Sequence, residues 1–279
     1  MLSLNSPIRY LMQKSQRVKF FMGNKLARIN KSPIFVLGNP KSGTSAISHL
    51  LADFGGLSKT IDIPPIWTSS GCGVEIIQGR CQFSSVVQGY KLYFSRKLIK
   101  DPNLIFFIEK VMDAFPEARY VFVIRDPRDN IRSSLNRRGV AGNFKNLEER
   151  FYPKNEKDRK IIKSIVDPNI WGGKRENYVG VLAHKWNMAT DNFMRHQDRI
   201  LLAKYEDFLV DKCSYIARLA QQLDIPKMND IADKVNIQYQ PRGKDRSVPW
   251  KDFFGHENLK RIENICGENM KKFGYTVGC

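Results

Sequence analysis

No Asp or Glu precedes Asp53. The opening stretch instead carries Arg9, Lys14, Arg17, Lys19, Lys25, Arg28 and Lys31. No apolar run approaches the roughly 18 residues of a membrane span, and the start lacks the apolar core of a secretory signal. Cysteine is sparse: Cys72, Cys81, Cys213, Cys266 and Cys279 are odd in number, irregularly spaced and form no C-x-x-C pair. This argues against a disulfide framework or a cysteine zinc site and fits a reducing compartment, so a cytoplasmic location and no metal are expected. Internal repeats and low-complexity tracts are lacking as well.

What is present is an ordinary globular composition with an excess of positive charge. The chain has 279 residues, 42% of them hydrophobic, and a net charge of +18. That length supports one large domain with a sizeable core. The charge favours anionic partners such as nucleotides, acidic glycans, lipid surfaces or nucleic acid without choosing among them. A basic helical leader is expected over residues 1–31 and one domain over 32–279. In the leader, Val18, Phe21, Met22, Leu26 and Ile29 share one helical face, suited either to packing on the domain or to a membrane surface or acceptor.

The chain is organised around residues 32–54. Ile34 to Leu37 is a short apolar run of the kind that forms a buried strand. Gly38, Asn39, Pro40 and Gly43 are turn residues, and from Thr44 onward Ile47, Leu50, Leu51 and Phe54 recur at helical spacing. A strand, tight loop and helix in this order point backbone N–H groups and a helix N-terminus at one spot, where a phosphate can sit. Lys41 adds charge, and Ser42, Thr44 and Ser45 add hydroxyls. The nucleoside-triphosphate loop places Lys after the second Gly of its motif, whereas Lys41 precedes Gly43. Alone, the stretch also suits an ordinary strand-to-helix turn.

Further strands are expected at 97–100, 119–124 and 200–203, and helices at 84–94, 103–115, 127–138, 176–196, 214–223 and 257–273. Residues 55–82, 139–175 and 237–249 read as loops. Strands alternating with helices imply a parallel sheet covered on both faces, with ligands beyond the carboxyl ends of its strands. Lys41, Lys100, Arg125 and Tyr205 each follow a strand end.

The segment Arg125-Asp126-Pro127-Arg128-Asp129-Asn130-Ile131-Arg132-Ser133-Ser134 is the second motif. Arg125 offers a planar charged fork suited to phosphate, and Ser133, eight residues on, can add a hydroxyl. The loop Pro-Lys-Ser-Gly-Thr-Ser and this segment together resemble the 5′-phosphosulfate and 3′-phosphate motifs of sulfotransferases that use 3′-phosphoadenosine 5′-phosphosulfate (PAPS). Lys204-Tyr205-Glu206-Asp207 and the C-terminal Phe273-Gly274-Tyr275 are similar to further parts of that family.

The resemblance implies a single α/β domain of P-loop-like sulfotransferase fold, with a central parallel sheet of four or five strands flanked by helices. It implies sulfuryl transfer from PAPS to an acceptor hydroxyl, leaving 3′-phosphoadenosine 5′-phosphate (PAP). Lys41, Ser42, Gly43, Thr44, Ser45, Arg125, Ser133 and Tyr205 would hold the nucleotide, and Lys41 and Lys100 would act at the transferring group. In the family's cytosolic small-molecule branch, which sulfates phenols and steroids, a His acting as base stands two residues after the strand-end Lys; here Asp101 and Pro102 follow Lys100. A glycan or other non-phenolic acceptor is therefore expected, with Glu75 ahead of Asp62 as the base and His184 as an outside candidate. The rival classes are a polyanion- or nucleic-acid-binding protein and a P-loop kinase. No nucleic-acid partner is expected, and peripheral membrane contact rests with the leader.

Overall fold

The computed structural model describes residues 18, 20–67, 71–240 and 247–278. A short helix α1 (20–26) precedes β1 (Ile34–Gly38), which runs through the loop at 39–43 into α2 (Thr44–Phe54). Next come β2 (Lys59–Ile61), α3 (Pro64–Trp67), α4 (Gly73–Ile77), α5 (Phe83–Gly89) and β3 (Leu98–Lys100). A 3-10 turn (Pro102–Phe107) leads into α6 (Ile108–Ala114), followed by β4 (Arg119–Ile124) and α7 (Pro127–Asn136). The second half holds α8 (Glu156–Ile165), α9 (Pro168–Trp171), α10 (Tyr178–Arg195) and β5 (Ile200–Lys204), then α11 (Tyr205–Val210), α12 (Lys212–Gln222) and α13 (Trp250–Lys272).

The sheet has five strands in the order β2-β3-β1-β4-β5, and every pairing is parallel. Side chains alternate between its faces, as the period of a strand requires. Phe35, Leu37, Tyr120, Phe122 and Ile124 join one core cluster, with α6, α7, α10 and α13 packed there. Ile34, Val36, Val121 and Val123 join the other, under α2 and α12. Both faces are covered, which is why β1 and β4 read as continuous apolar runs instead of alternating ones. Each large apolar side chain buried this way contributes about 1.5–3 kcal/mol.

Two segments expected as loops hold regular structure. Residues 55–82 contain β2, α3 and α4. β2 is only Lys-Thr-Ile and owes its form to pairing with β3, in register Lys59 to Leu98. Residues 139–175 contain α8 and α9. The Asn155 side chain caps α8 by accepting from the Asp158 N–H at 2.8 Å, and Ile162 is wholly buried. Most of the leader lies outside the described residues. In α1, Phe20 packs on Tyr93 at 5.2 Å between ring centroids, while Phe21, Met22 and Leu26 face solvent. Among the described residues, no helix is long and apolar enough to cross a membrane.

Candidate functional site

Each of the five strands delivers one functional side chain just at or beyond its carboxyl end. Across the edge, in sheet order, stand Asp62, Lys100, Lys41, Arg125 and Tyr205. They line one cavity of about 370 Å³ together with Gly43, Thr44, Ser45 and Ser133. The connection leaving β1 runs to one side of the sheet and that leaving its neighbour β4 to the other, so the loop at 39–43 sits where such sheets open a crevice.

The loop is built to approach something closely. Gly43 has φ of 95° and precedes the first turn of α2 with no side-chain cap, so the first N–H groups of that helix stay open to an anion. A Cβ on Gly43 would lie 2.1 Å from Cδ2 of Tyr205, so only glycine fits beside that ring. Lys41 also takes a left-handed backbone, φ 78°. A buried polar stitch holds the loop in shape. Asn130 Nδ2 donates to Ser42 Oγ at 2.9 Å and to the Pro40 carbonyl at 3.0 Å, and Asn39 Nδ2 donates to Asn130 Oδ1 at 2.8 Å. Ser42 therefore faces inward: its hydroxyl meets Asn130, its N–H donates to the Asn39 carbonyl, and it does not line the cavity.

Burial, reinforced by the charges of Arg137, Arg138, Arg125 and Lys100, brings the Lys41 ammonium down to about 8. Its Nζ donates to Gln240 Oε1 at 3.1 Å, and Gln240 Nε2 donates to Ser45 Oγ at 2.9 Å. Gln240 belongs to the strap at 235–240 that walls the cavity, a contribution no motif in that polar stretch announces. Arg125 lies 4.9 Å from the Tyr205 ring centroid, and its Nη2 reaches Asp129 at 3.4 Å. Its buried Nε has no hydrogen-bond partner among the described residues. The carbonyl of Arg125 is pinned by Trp186 Nε1 at 2.9 Å.

A cavity with an unsatisfied buried guanidinium N–H, an uncapped helix start, a lowered lysine and an aromatic ring fits a nucleotide bearing phosphates. Among the described residues, no group of three or more His, Cys, Asp or Glu side chains could hold a metal ion.

The carboxylates sort differently from expectation. Asp62 (φ 61°) extends the β2 ladder, its N–H donating to the Lys100 carbonyl at 2.7 Å. Its carboxylate accepts from the buried Lys100 Nζ at 2.6 Å. Glu75 lines neither cavity of this edge, and its side chain is about half exposed. The Arg80 guanidinium grips it in two bonds, of 2.6 and 2.8 Å, and holds its carboxyl below the usual range. That is the opposite of a carboxyl raised by burial. His184 packs on Gly173 and lines neither cavity. Asp101, noted in the sequence only as a break in pattern, is buried and raised to about 6 by burial and by the neighbouring Asp62 charge. Its oxygens accept from the N–H groups of Ile63 and Asn103, both at 3.0 Å, fixing the chain beyond β2 and β3.

A second cavity of about 860 Å³ adjoins the first. Pro40, Lys41, Asp62 and Asn103 line both. Its own walls include Ile66, Trp67, Ile161, Ile165 and Leu182, with Lys185 and Arg138 among them.

A family model described as the sulfotransferase domain matches residues 31–274. No curated protein matches the chain. The fold is similar to that of a sulfotransferase from Mycobacterium avium, at 14% identity and TM-score 0.51, covering 94% of this chain and 82% of that one. It is equally similar to a mouse sulfotransferase crystallised with PAP, at 12% identity and TM-score 0.52, covering 90% of this chain and 89% of that one.

Proposed function

We propose, from the premise that the chain belongs to the sulfotransferase-domain family and is an enzyme of sulfuryl transfer, that its donor is PAPS and its acceptor a hydroxyl group. The observation that carries the donor is the convergence of Lys41, Arg125 and Tyr205 from adjacent strand ends on one cavity, with the buried Arg125 Nε unpartnered among the described residues. The open N–H groups at the start of α2, with Thr44 and Ser45, hold the 5′ end. Arg125 and Ser133 hold the 3′-phosphate, and the Tyr205 ring lies beside the adenine.

The donor supplies an SO₃ group, whose bond to a 5′-phosphate oxygen breaks as a bond to the acceptor oxygen forms. The chain's own work is positioning and charge stabilisation. The Lys41 ammonium faces the phosphate oxygen on which negative charge grows. Lys100 neutralises the transferring oxygens, and Asp62 takes the acceptor proton. Asp62 stands on the wall common to both cavities, where donor and acceptor must meet. The apolar walls of the second cavity favour an acceptor with an apolar body over the glycan expected from sequence.

The test is calorimetry with PAP and with adenosine 5′-phosphate, alongside transfer of labelled sulfate from PAPS to a panel of alcohols. Tight binding that depends on the 3′-phosphate, with transfer, is expected. Equal affinity for the two nucleotides overturns the donor. ATP turnover points to a kinase, and a salt-sensitive DNA gel shift without PAPS turnover points to a polyanion-binding protein.

A further inference from the structure

The polar groups on the second cavity are lopsided. Lys185, from α10, is 4% exposed. Its Nζ lies 3.9 Å from the Trp171 ring centroid and 5.1 Å from that of Phe106, and no hydrogen bond or ion pair joins it to another described residue. Trp67 Nε1 and Arg138 Nε are buried on the same cavity, each without a partner among the described residues. All of these are donors. The acids on the wall are already engaged: Asp62 by Lys100, Asp101 by the backbone of Ile63 and Asn103, and Glu156 by Lys160.

Two aromatic faces attract an ammonium but do not replace its lost hydration. Burial, with the Arg138 charge next, pushes Lys185 down to about 7. A group kept at such cost on the wall of a large cavity is complemented by an anion arriving from the cavity side. Elsewhere that wall is apolar, through Ile66, Ile161, Ile165 and Leu182.

We propose that the acceptor is an amphipathic hydroxy acid: its carboxylate sits on Lys185 with Trp67 and Arg138, its apolar body fills the cavity, and its hydroxyl reaches Lys41 and Asp62. The hydroxyl's destination rests on the sulfuryl-transfer reading. The carboxylate site stands on its own geometry.

The experiment uses the full chain loaded with PAP and a series of ω-hydroxy fatty acids of graded length with their methyl esters. Calorimetry measures binding, and labelled PAPS measures transfer. The wild type is expected to prefer the best acid over its ester by about tenfold to a hundredfold, the worth of a charge-assisted contact. Lys185→Met should abolish the preference for the acid over the ester, and Lys185→Arg should keep it. Equal binding of acid and ester, binding of neither, or equal weakening of both by Lys185→Met overturns the proposal. PAP affinity in the same samples separates the two readings. Its absence overturns the donor assignment, whereas intact PAP binding without acid preference overturns only the carboxylate site.

Discussion

Lys100 Nζ and Asp62 Oδ1 meet at 2.6 Å across the ends of neighbouring strands β3 and β2. The lysine is buried, while the aspartate side chain is 53% exposed and faces the wall shared by both cavities. The pair therefore anchors a carboxylate on the wall between the two cavities, where the proposed acceptor hydroxyl would lose its proton. Asp62→Asn is expected to lower turnover by about a hundredfold or more, the range of general-base catalysis, with PAP affinity little changed. Glu75→Gln should turn over near the wild-type rate, since Glu75 lines neither cavity of this edge. Steady-state kinetics on both variants decide, and the reverse outcome restores Glu75.

Lys41→Ala should retain PAP binding within a modest factor and lose turnover by about a hundredfold to a thousandfold, as when a charge-stabilising donor is removed. In the free enzyme the lysine is charged below its lowered value of about 8 and neutral above it. The profile of kcat/KM should therefore fall as pH rises through about 8. Lys41→Arg, always charged, should lack that limb.

Arg125→Ala should weaken PAP binding by about 1.5–3 kcal/mol, a loss of charge-assisted hydrogen bonds. It should also erase the distinction between PAP and adenosine 5′-phosphate. Titration calorimetry with the two nucleotides reads both effects. A variant that still prefers PAP removes Arg125 from the 3′-phosphate.

Gly43→Ala joins a left-handed backbone at φ 95° to a collision with the Tyr205 ring. The backbone part alone costs on the order of 1–3 kcal/mol. Thermal unfolding and PAP titration should show a lower Tm and a strong loss of nucleotide affinity. Unchanged binding would mean that the ring does not form the wall.

Lys185 carries a stability consequence with a definite sign. Its folded value is lowered from 10.5 to about 7. Between those values the unfolded chain binds the proton and the native chain does not, so wild-type stability falls as pH drops from 10.5 toward 7 and stays reduced below. Lys185→Met lacks this penalty. It should be the more stable protein at neutral pH, by on the order of a few kcal/mol, and the two should converge near pH 10.5. Denaturant melts across that range check the convergence. A less stable variant at pH 7 would show that the ammonium is compensated in the free protein.

The parts of the site legible in the sequence are those carried by local pattern. β1 and β4 are long enough to show as apolar runs, and the loop and Arg125 segments adjoin them, so Lys41 and Arg125 could be placed at strand ends directly. Asp62 was visible as a residue but not as a position, because the three residues of β2 become a strand only by pairing with β3. Asn130, Gln240 and Lys185 act through partners far along the chain, at Ser42, Lys41 and Trp171. No local periodicity encodes such pairings. Glu75 shows the same limit: its position after the first helix is evident in the sequence, but its grip by Arg80 is not.

Pro40, Lys41, Asp62 and Asn103 belong at once to the donor cavity and to its larger neighbour. A common partition makes the two ligands energetically reciprocal: whatever factor a hydroxy acid imposes on PAP affinity, PAP imposes on the affinity for the acid. Lys41 gives that factor a direction. An anionic nucleotide against its ammonium reduces the positive potential felt across the partition, so a carboxylate-bearing acceptor held near the wall meets a less attractive cavity once the nucleotide is in place. On the proposed reading, spent nucleotide and fresh acid would loosen one another, and a rise in acceptor would hasten product release. Titrating PAP at increasing hydroxy acid should raise its Kd; a falling Kd would reverse the sign of the coupling.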